Sequence, residues 1–428
     1  MESNGKRLDL GAGIYATCVF DPKFKSDIIT VRFLTEYRKD LAAYYALIPQ
    51  MLASTNSNYP DSASLARKLN SLYGSWTGAY CRHRGGIFEL SVSILYLCDR
   101  FSLNGEKISD EAVKILSDCI FSPSLKDGGF ESAEFDICRL NLLSAIDSEI
   151  NDKASYAVSL AAETAYRGET SAGRYYGSRD DVEKANPVRA YEVYKELLKT
   201  ARIEMTLSGG GEDHEKIASA FAKRFSENRS YFGSPEYFAK SPLKPSPEYK
   251  QLCLDVLQAN LVMVFKTDFD KSAAMTVFNS LYADSPISKL FLNVRQKLSL
   301  CYYCYAVYSE AKGAVTVICG VDSENVDRAR EEILSQLGAV SRGEFTDEEL
   351  SDIKRGIIND FRSVYDKAGK IGDWYYLQAI KGTNLRPEER IEDIEKVTRD
   401  EVIAAAASLR EDTVFVLKNA VGGNGDAK

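Results

Sequence analysis

Histidine is nearly absent from this sequence. Of 428 residues only His83 and His214 carry an imidazole, so any site needing several histidines from one chain is excluded at once. Neither lies in an HxxE or ExxH spacing, and no Ser-His-Asp arrangement can be argued from either. His83 sits in Cys-Arg-His-Arg-Gly-Gly between two cations, a setting hostile to a metal ion. His214 follows Gly209-Gly-Gly-Glu-Asp213 at a helix start. Both read as surface histidines.

Other absences narrow the field further. No window approaches the ~18 uninterrupted apolar residues of a membrane span. The N-terminus, MESNGKRLDLGAGIY, has neither an apolar signal core nor an Arg-rich presequence, which points to the cytoplasm. Positive charge is not in excess: the net charge is −8, whereas phosphate backbones require clustered Lys and Arg. Neither a membrane nor a nucleic-acid partner is therefore expected. The triple glycine at 209–211 is not followed by Gly-Lys-Ser/Thr. Glu212 and Asp213 instead hold the helix N-terminus where a phosphate would bind. The nine cysteines are scattered through strand-like and helix-like stretches, as small buried hydrophobes in a reducing compartment would be. Cys301-Tyr-Tyr-Cys304 has no second CxxC to complete a zinc site. In a strand, residues three apart point to opposite faces, so these two sulfurs are not expected to meet.

What is present is an internal repeat. Asp181-Val-Glu-Lys-Ala185 and Asp393-Ile-Glu-Lys-Val397 match at half the chain length, each followed by a helical stretch and then a strand. Asp152-Lys-Ala154 and Asp366-Lys-Ala368 repeat upstream, as do Glu134–Arg139 and Leu350–Arg355. So long a period means duplicated domains, since solenoid repeats are far shorter. The Ser- and Pro-rich residues 226–250 read as a linker. The expected organisation is a first domain over 1–225, the linker, and a second domain over 251–428. Runs of strands interleaved with helices predict an α+β class, each domain a mainly antiparallel sheet packed with helices.

With the duplication, the linker and "NVRQKLSLCYYCYA" (293–306) in hand, the chain resembles the M16 (insulinase, pitrilysin, mitochondrial processing peptidase) family, in its short bacterial two-domain form. The resemblance implies a clamshell of two homologous domains. Family activity needs His-x-x-Glu-His on the first long helix plus a distal Glu, two ligands one helical turn apart with a base between them. Here that helix reads LAAYYALIPQMLASTNSNYP. Ala46 and Gln50 stand where the histidine ligands would be, Pro49 where the general base would be, and Ala145 near the distal Glu. No metal or other cofactor is expected in this chain, and zinc only in a partner.

The second half keeps another family feature, an Arg and a Tyr seven residues apart, as Arg295 and Tyr302 in "RQKLSLCY". The resemblance implies that this pair holds and polarises the carbonyls of an extended peptide, a role suited to a permanent cation and a phenol. Ser299 departs from the usual Gly of that turn. The bland alternative makes Arg295 a structural salt bridge at a helix end. The resemblance thus implies a non-catalytic subunit paired with a zinc-bearing M16 chain, while leaving room for homodimers of the isolated protein. The other reading is a peptide-binding or assembly scaffold with no part in proteolysis.

Overall fold

The computed structural model describes residues 5–169, 172–227, 229–231 and 233–419. The first half runs β1 (Lys6–Asp9), β2 (Ile14–Phe20), β3 (Ser26–Thr35), α1 (Ala42–Ser54), α2 (Ser62–Ser71), β4 (Trp76–Arg84), β5 (Ile87–Leu97) and α3 (Ile108–Phe121). It continues through a short hairpin, β6 (Leu125–Lys126) and β7 (Gly129–Phe130), to α4 (Ser132–Ser148), α5 (Lys153–Ala165), α6 (Arg179–Lys184), α7 (Pro187–Thr200), β8 (Arg202–Gly209) and α8 (His214–Phe225). The described residues of 226–247 hold no helix or strand. The second half runs β9 (Glu248–Leu254), β10 (Ala259–Lys266), α9 (Ser272–Tyr282), a π-helical turn (Leu290–Lys297), β11 (Cys301–Ser309) and β12 (Ala314–Val321). It ends with α10 (Val326–Ser341), α11 (Asp347–Arg362), α12 (Ala368–Ile380), α13 (Pro387–Lys396), α14 (Arg399–Ser408) and β13 (Arg410–Asn419). None of the described helices is long and apolar enough to cross a membrane.

Two sheets organise these elements, ordered β1-β2-β8-β3-β5-β4 and β9-β13-β10-β12-β11. With β1 set aside, they match strand for strand. β2–β8 and β9–β13 are the parallel pairs, and every other pairing is antiparallel. The repeated Asp-x-Glu-Lys segments fall on α6 and α13, at the same place in each half. The α+β class and the duplication read from the sequence are both present.

Local chemistry explains where the elements begin. Asn186 caps α7 by accepting from the Arg189 N–H, with Pro187 in the first turn. Ser178 with Asp181 and Thr398 with Glu401 form reciprocal capping boxes on α6 and α14. β10, ANLVMVFK, is buried along its whole length because both of its faces are covered. Leu261, Met263 and Phe265 enter the main core of their sheet. Val262 packs on the opposite face with Ala157 and Ala161 of α5. Each such aliphatic side chain contributes about 1.5–3 kcal/mol by leaving water.

Membership of the two compact units differs from a split at one linker. One unit comprises Met1–Ile146, Gly173–Tyr237 and Ser363–Arg386, and the other Asp147–Ala172, Phe238–Arg362 and Pro387–Lys428. Helix α5, from the first half, covers the sheet of the second unit through Ala157 and Ala161 against Phe415 and Leu417. Helix α12, from the second half, sits on the first unit's sheet, with Ile371 and Tyr375 against Val19. An amphipathic pattern specifies an apolar face and not the sheet that will receive it. The exchange was therefore invisible in the sequence, and the boundaries 1–225 and 251–428 do not anticipate it.

Candidate functional site

The stretch that the resemblance sets against the zinc motif, Ala46–Gln50, lies on α1. Ala46 is 4% exposed and packs among Ala43, Tyr176 and Val182, with Leu142, Leu143 and Ile146 of the neighbouring helix against them. Pro49 is buried inside the helix, where it offers neither a side-chain donor nor a backbone N–H. Gln50 faces solvent, as does Ala145 on α4. Zinc requires imidazole, thiolate or carboxylate ligands, and these residues do not fit it. Ala46 instead packs against apolar side chains.

Arg295 and Tyr302 lie in the most irregular stretch of the second unit. Leu290–Lys297 forms a π-helical turn, closed by Leu298 N–H donating to the Asn293 carbonyl at 3.1 Å and Leu300 N–H to that of Val294 at 3.1 Å. Asn293 Nδ2 ties the turn to Gln336 Oε1 of α10 at 2.8 Å, and Lys289 pairs with Glu349 at 2.7 Å. Single π turns recur at functional sites because the extra residue re-aims side chains. Ser299 follows with φ +50°, the left-handed conformation in which glycine is unstrained. Its departure from the usual Gly is therefore a real backbone cost at that turn.

Strand β11 then starts with a bulge. Cys301 faces Val321 and Tyr303 faces Gly320, leaving Tyr302 as the extra residue. Tyr302 is 57% exposed, and Tyr305 and Val307 are exposed along the same strand. β11 is an edge strand. Arg295 is exposed too, its guanidinium over the Phe291 ring at 4.9 Å from the centroid. Among the described residues no carboxylate pairs with Arg295, so the structural salt bridge entertained for it has no partner there.

The same bulge overturns the expectation for Cys301 and Cys304. One inserted residue restores the phase of the pleat, so both thiols turn into the core. Cys304 lies opposite Cys319 of β12, and the three sulfurs lie within 4.8 Å of one another. Contacts from Cys304, then Cys319, and then the charge of Arg295 hold the Cys301 thiol down at about 4 against the effect of burial. Its two neighbours move the opposite way: contacts to Cys301 raise both Cys304 and Cys319. The signal that identifies this cluster is the Glu310–Gly313 turn. Counting back from it in antiparallel register sets Cys304 against Cys319, and the period-2 rule failed only at the bulge.

Both histidines also differ from expectation. His214 is 3% exposed, with Nε2 at 2.9 Å from Asp27 Oδ1. Cys98 Sγ donates to Asp27 Oδ2 at 3.4 Å. The carboxylate thus stands between thiol and imidazole, the wrong order for a base to activate a nucleophile. Burial pushes the Cys98 thiol up to about 12, with Asp27 adding to it. His83 is half-buried, its ring centroid 4.7 Å from that of Tyr37 and 5.0 Å from that of Phe88.

Comparisons with known proteins agree with this geometry. The family described as Peptidase M16 inactive domain matches residues 187–357. The "Probable inactive metalloprotease YmfF" of Bacillus subtilis (strain 168) is 25% identical over 415 residues, spanning 96% of this chain and 97% of that protein. The crystal structure of a conserved protein from Enterococcus faecalis V583 matches with a TM-score of 0.90 and 24% identity, over 99% of this chain and 100% of that one. The peptidase M16 inactive domain from Pseudomonas fluorescens matches with a TM-score of 0.80 and 16% identity, over 99% and 100% of the two chains. At these identities the structural likenesses speak for the fold alone. Together with the family match over residues 187–357 and the similarity along 96% of the chain to a probable inactive metalloprotease, they lead to one conclusion: the chain is similar to the inactive homologues of the M16 peptidase family.

Proposed function

We propose that this chain is the non-catalytic subunit of a heterodimeric, cytoplasmic bacterial M16-type zinc metallopeptidase. It would contribute peptide binding and carbonyl polarisation through Arg295 and Tyr302 to a partner carrying His-x-x-Glu-His. The observation that carries this reading is the exposed, carboxylate-free guanidinium of Arg295 on the same turn-and-bulge segment as exposed Tyr302. Backbone irregularities of this kind cluster at functional sites, and this one presents a cation and a phenol to solvent. The adjoining edge strand β11 supports it further, because an extended peptide adds to such an edge through main-chain hydrogen bonds.

The test is reconstitution. Mixed with a zinc-bearing M16 chain from the same genome, the protein should restore peptide cleavage that neither chain performs alone. Arg295→Ala or Tyr302→Phe should then lower turnover by ~10²–10³, the cost of losing one oriented donor at an oxyanion-type site, with assembly unchanged. Equal turnover of mutant and wild-type complexes would remove the pair from the reaction. Assembly without any cleavage would favour the scaffold reading.

A further inference from the structure

We propose that Cys301, Cys304 and Cys319 form a binding site for a thiophilic d10 metal ion, Cu+ or Zn2+. Among the described residues this is the one group of three or more Cys, His, Asp or Glu side chains with donor atoms close enough to share an ion. Three sulfurs each about 2.3 Å from one ion lie about 3.8–4.0 Å apart. Sulfurs already within 4.8 Å therefore need to close by about 1 Å or less.

The scaffold is built to hold them there. Cys304 and Cys319 are cross-strand partners in the middle of a hairpin, and the bulge at Tyr302 delivers the third thiol to the same face. The bulge is itself anchored. Tyr303 donates its hydroxyl to Asn260 Oδ1, and its ring lies where a Cβ on Gly320 would stand, 2.4 Å away. The donor set is soft and all-sulfur, which selects Cu+ and Zn2+ over hard cations. Three donors complete a trigonal Cu+ site, whereas Zn2+ requires a fourth ligand, which water would supply. Cys301 is 9% exposed against 5% and 0% for the other two, so an ion enters past Cys301. Each thiol that coordinates gives its proton to solvent, and no electron is transferred. The nearby Arg295 charge opposes the negative charge that remains.

The experiment uses the full-length chain, reduced, metal-stripped and kept anaerobic. Cu+ is titrated against a chromogenic Cu+ chelator and Zn2+ against a zinc-responsive dye. One equivalent of either ion should bind, and X-ray absorption should show about three sulfur neighbours near 2.3 Å. Additional oxygen scattering would identify zinc with a water, and its absence trigonal copper. Cys301→Ser, the least buried change, should weaken binding at least 10-fold, as should Cys304→Ser and Cys319→Ser. Cys253→Ser should bind like wild type. Circular dichroism separates loss of binding from loss of fold, and the wild-type absorption spectrum decides the matter if a core variant fails to fold. Failure to bind either ion, unchanged binding by Cys301→Ser, or a scattering shell without sulfur would overturn the site. So would a disulfide among the three that forms under the reducing titration conditions.

Discussion

The two units repeat one topology yet differ sharply in what occupies corresponding places. In the first, the segment between the sheet-covering helix and the edge strand is the regular α2, a left-handed Tyr73 at φ +57°, and β4, whose pairing with β5 runs in unbroken register. In the second, the same segment is a π turn, a left-handed Ser299 and a bulge. Where the resemblance sets the zinc motif, the first copy carries Ala46, Pro49 and Gln50, and the second copy carries Arg295, Tyr302 and three clustered thiols. Both halves share the sheet order and the hydrophobic pattern that buries its strands. Chemistry is placed where that pattern is interrupted, because an interruption re-aims side chains that a regular element would alternate or bury.

A second contrast lies on the faces covered by the exchanged helices. In the first unit Arg32 is buried with Glu89 at 3.0 Å and Asp373 at 2.6 Å, and stacks 4.0 Å from the Tyr376 ring centroid. In the second, Lys266 pairs with Asp412 at 3.1 Å, a carboxylate that also accepts from the Lys244 N–H at 3.0 Å and the Thr413 hydroxyl at 2.8 Å. Each arrangement fixes the face through one buried cation, and breaking such a pair typically costs ~3–5 kcal/mol. Glu89→Ala and Asp412→Ala should therefore each cost about that much in denaturant unfolding, the largest effects expected here. A loss under about 1 kcal/mol in one unit alone would show that the two networks are not equivalent. Acid probes the first network further. Burial pushes the Glu89 carboxyl up, but Arg32, Arg82, Arg84 and the Tyr80 hydroxyl outweigh it and hold it below the ordinary glutamate range. Its contribution is complete above that ordinary value and is lost as pH falls through the lower folded value. Wild type should thus lose stability on the acid side by a component missing from Glu89→Gln. Parallel curves for the two proteins would count against this assignment.

The bulge can be probed by a smaller change. Gly320→Ala sets a methyl 2.4 Å from the Tyr303 ring, a contact that must be relieved by moving the ring or the strand. The expected cost is about 1–3 kcal/mol of overpacking. Most of it should disappear in the background of Tyr303→Ala, where the ring is gone. If the two substitutions are simply additive, the ring does not hold the bulge, and the thiol cluster would need another support.

These differences explain what could be read in advance. The interleaving of strands and helices follows from apolar periodicity and caps, such as Thr398 with Glu401, which act over a few residues, and the duplication from the repeated Asp-x-Glu-Lys segments. Ala46, Pro49 and Gln50 could be assessed directly because a missing ligand is visible in one letter. The burial of His214 against Asp27 and the exchange of α5 and α12 depend on partners far away in sequence, whereas the meeting of Cys301 with Cys304 depends on one bulge in the β11–β12 hairpin. For the cysteines the period-2 rule was sound and its premise was wrong, since one extra residue inverts every side chain beyond it.

Ser299 offers the finest test of the comparison. If the irregular copy is strained where it carries function, relaxing that strain should stabilise the chain. At φ +50° a side-chain-bearing residue costs ~1–2 kcal/mol relative to its preferred conformations. Glycine removes that penalty but loses ~0.5–1 kcal/mol of backbone entropy on folding. Ser299→Gly should therefore raise stability by about 0.5–1 kcal/mol, read as a shift in denaturant midpoint without a change in slope. The Arg295-to-Tyr302 geometry should be preserved, so turnover of the reconstituted complex should hold at the wild-type level. A destabilised Ser299→Gly protein would mean that the serine side chain contributes something at this turn that outweighs its backbone strain.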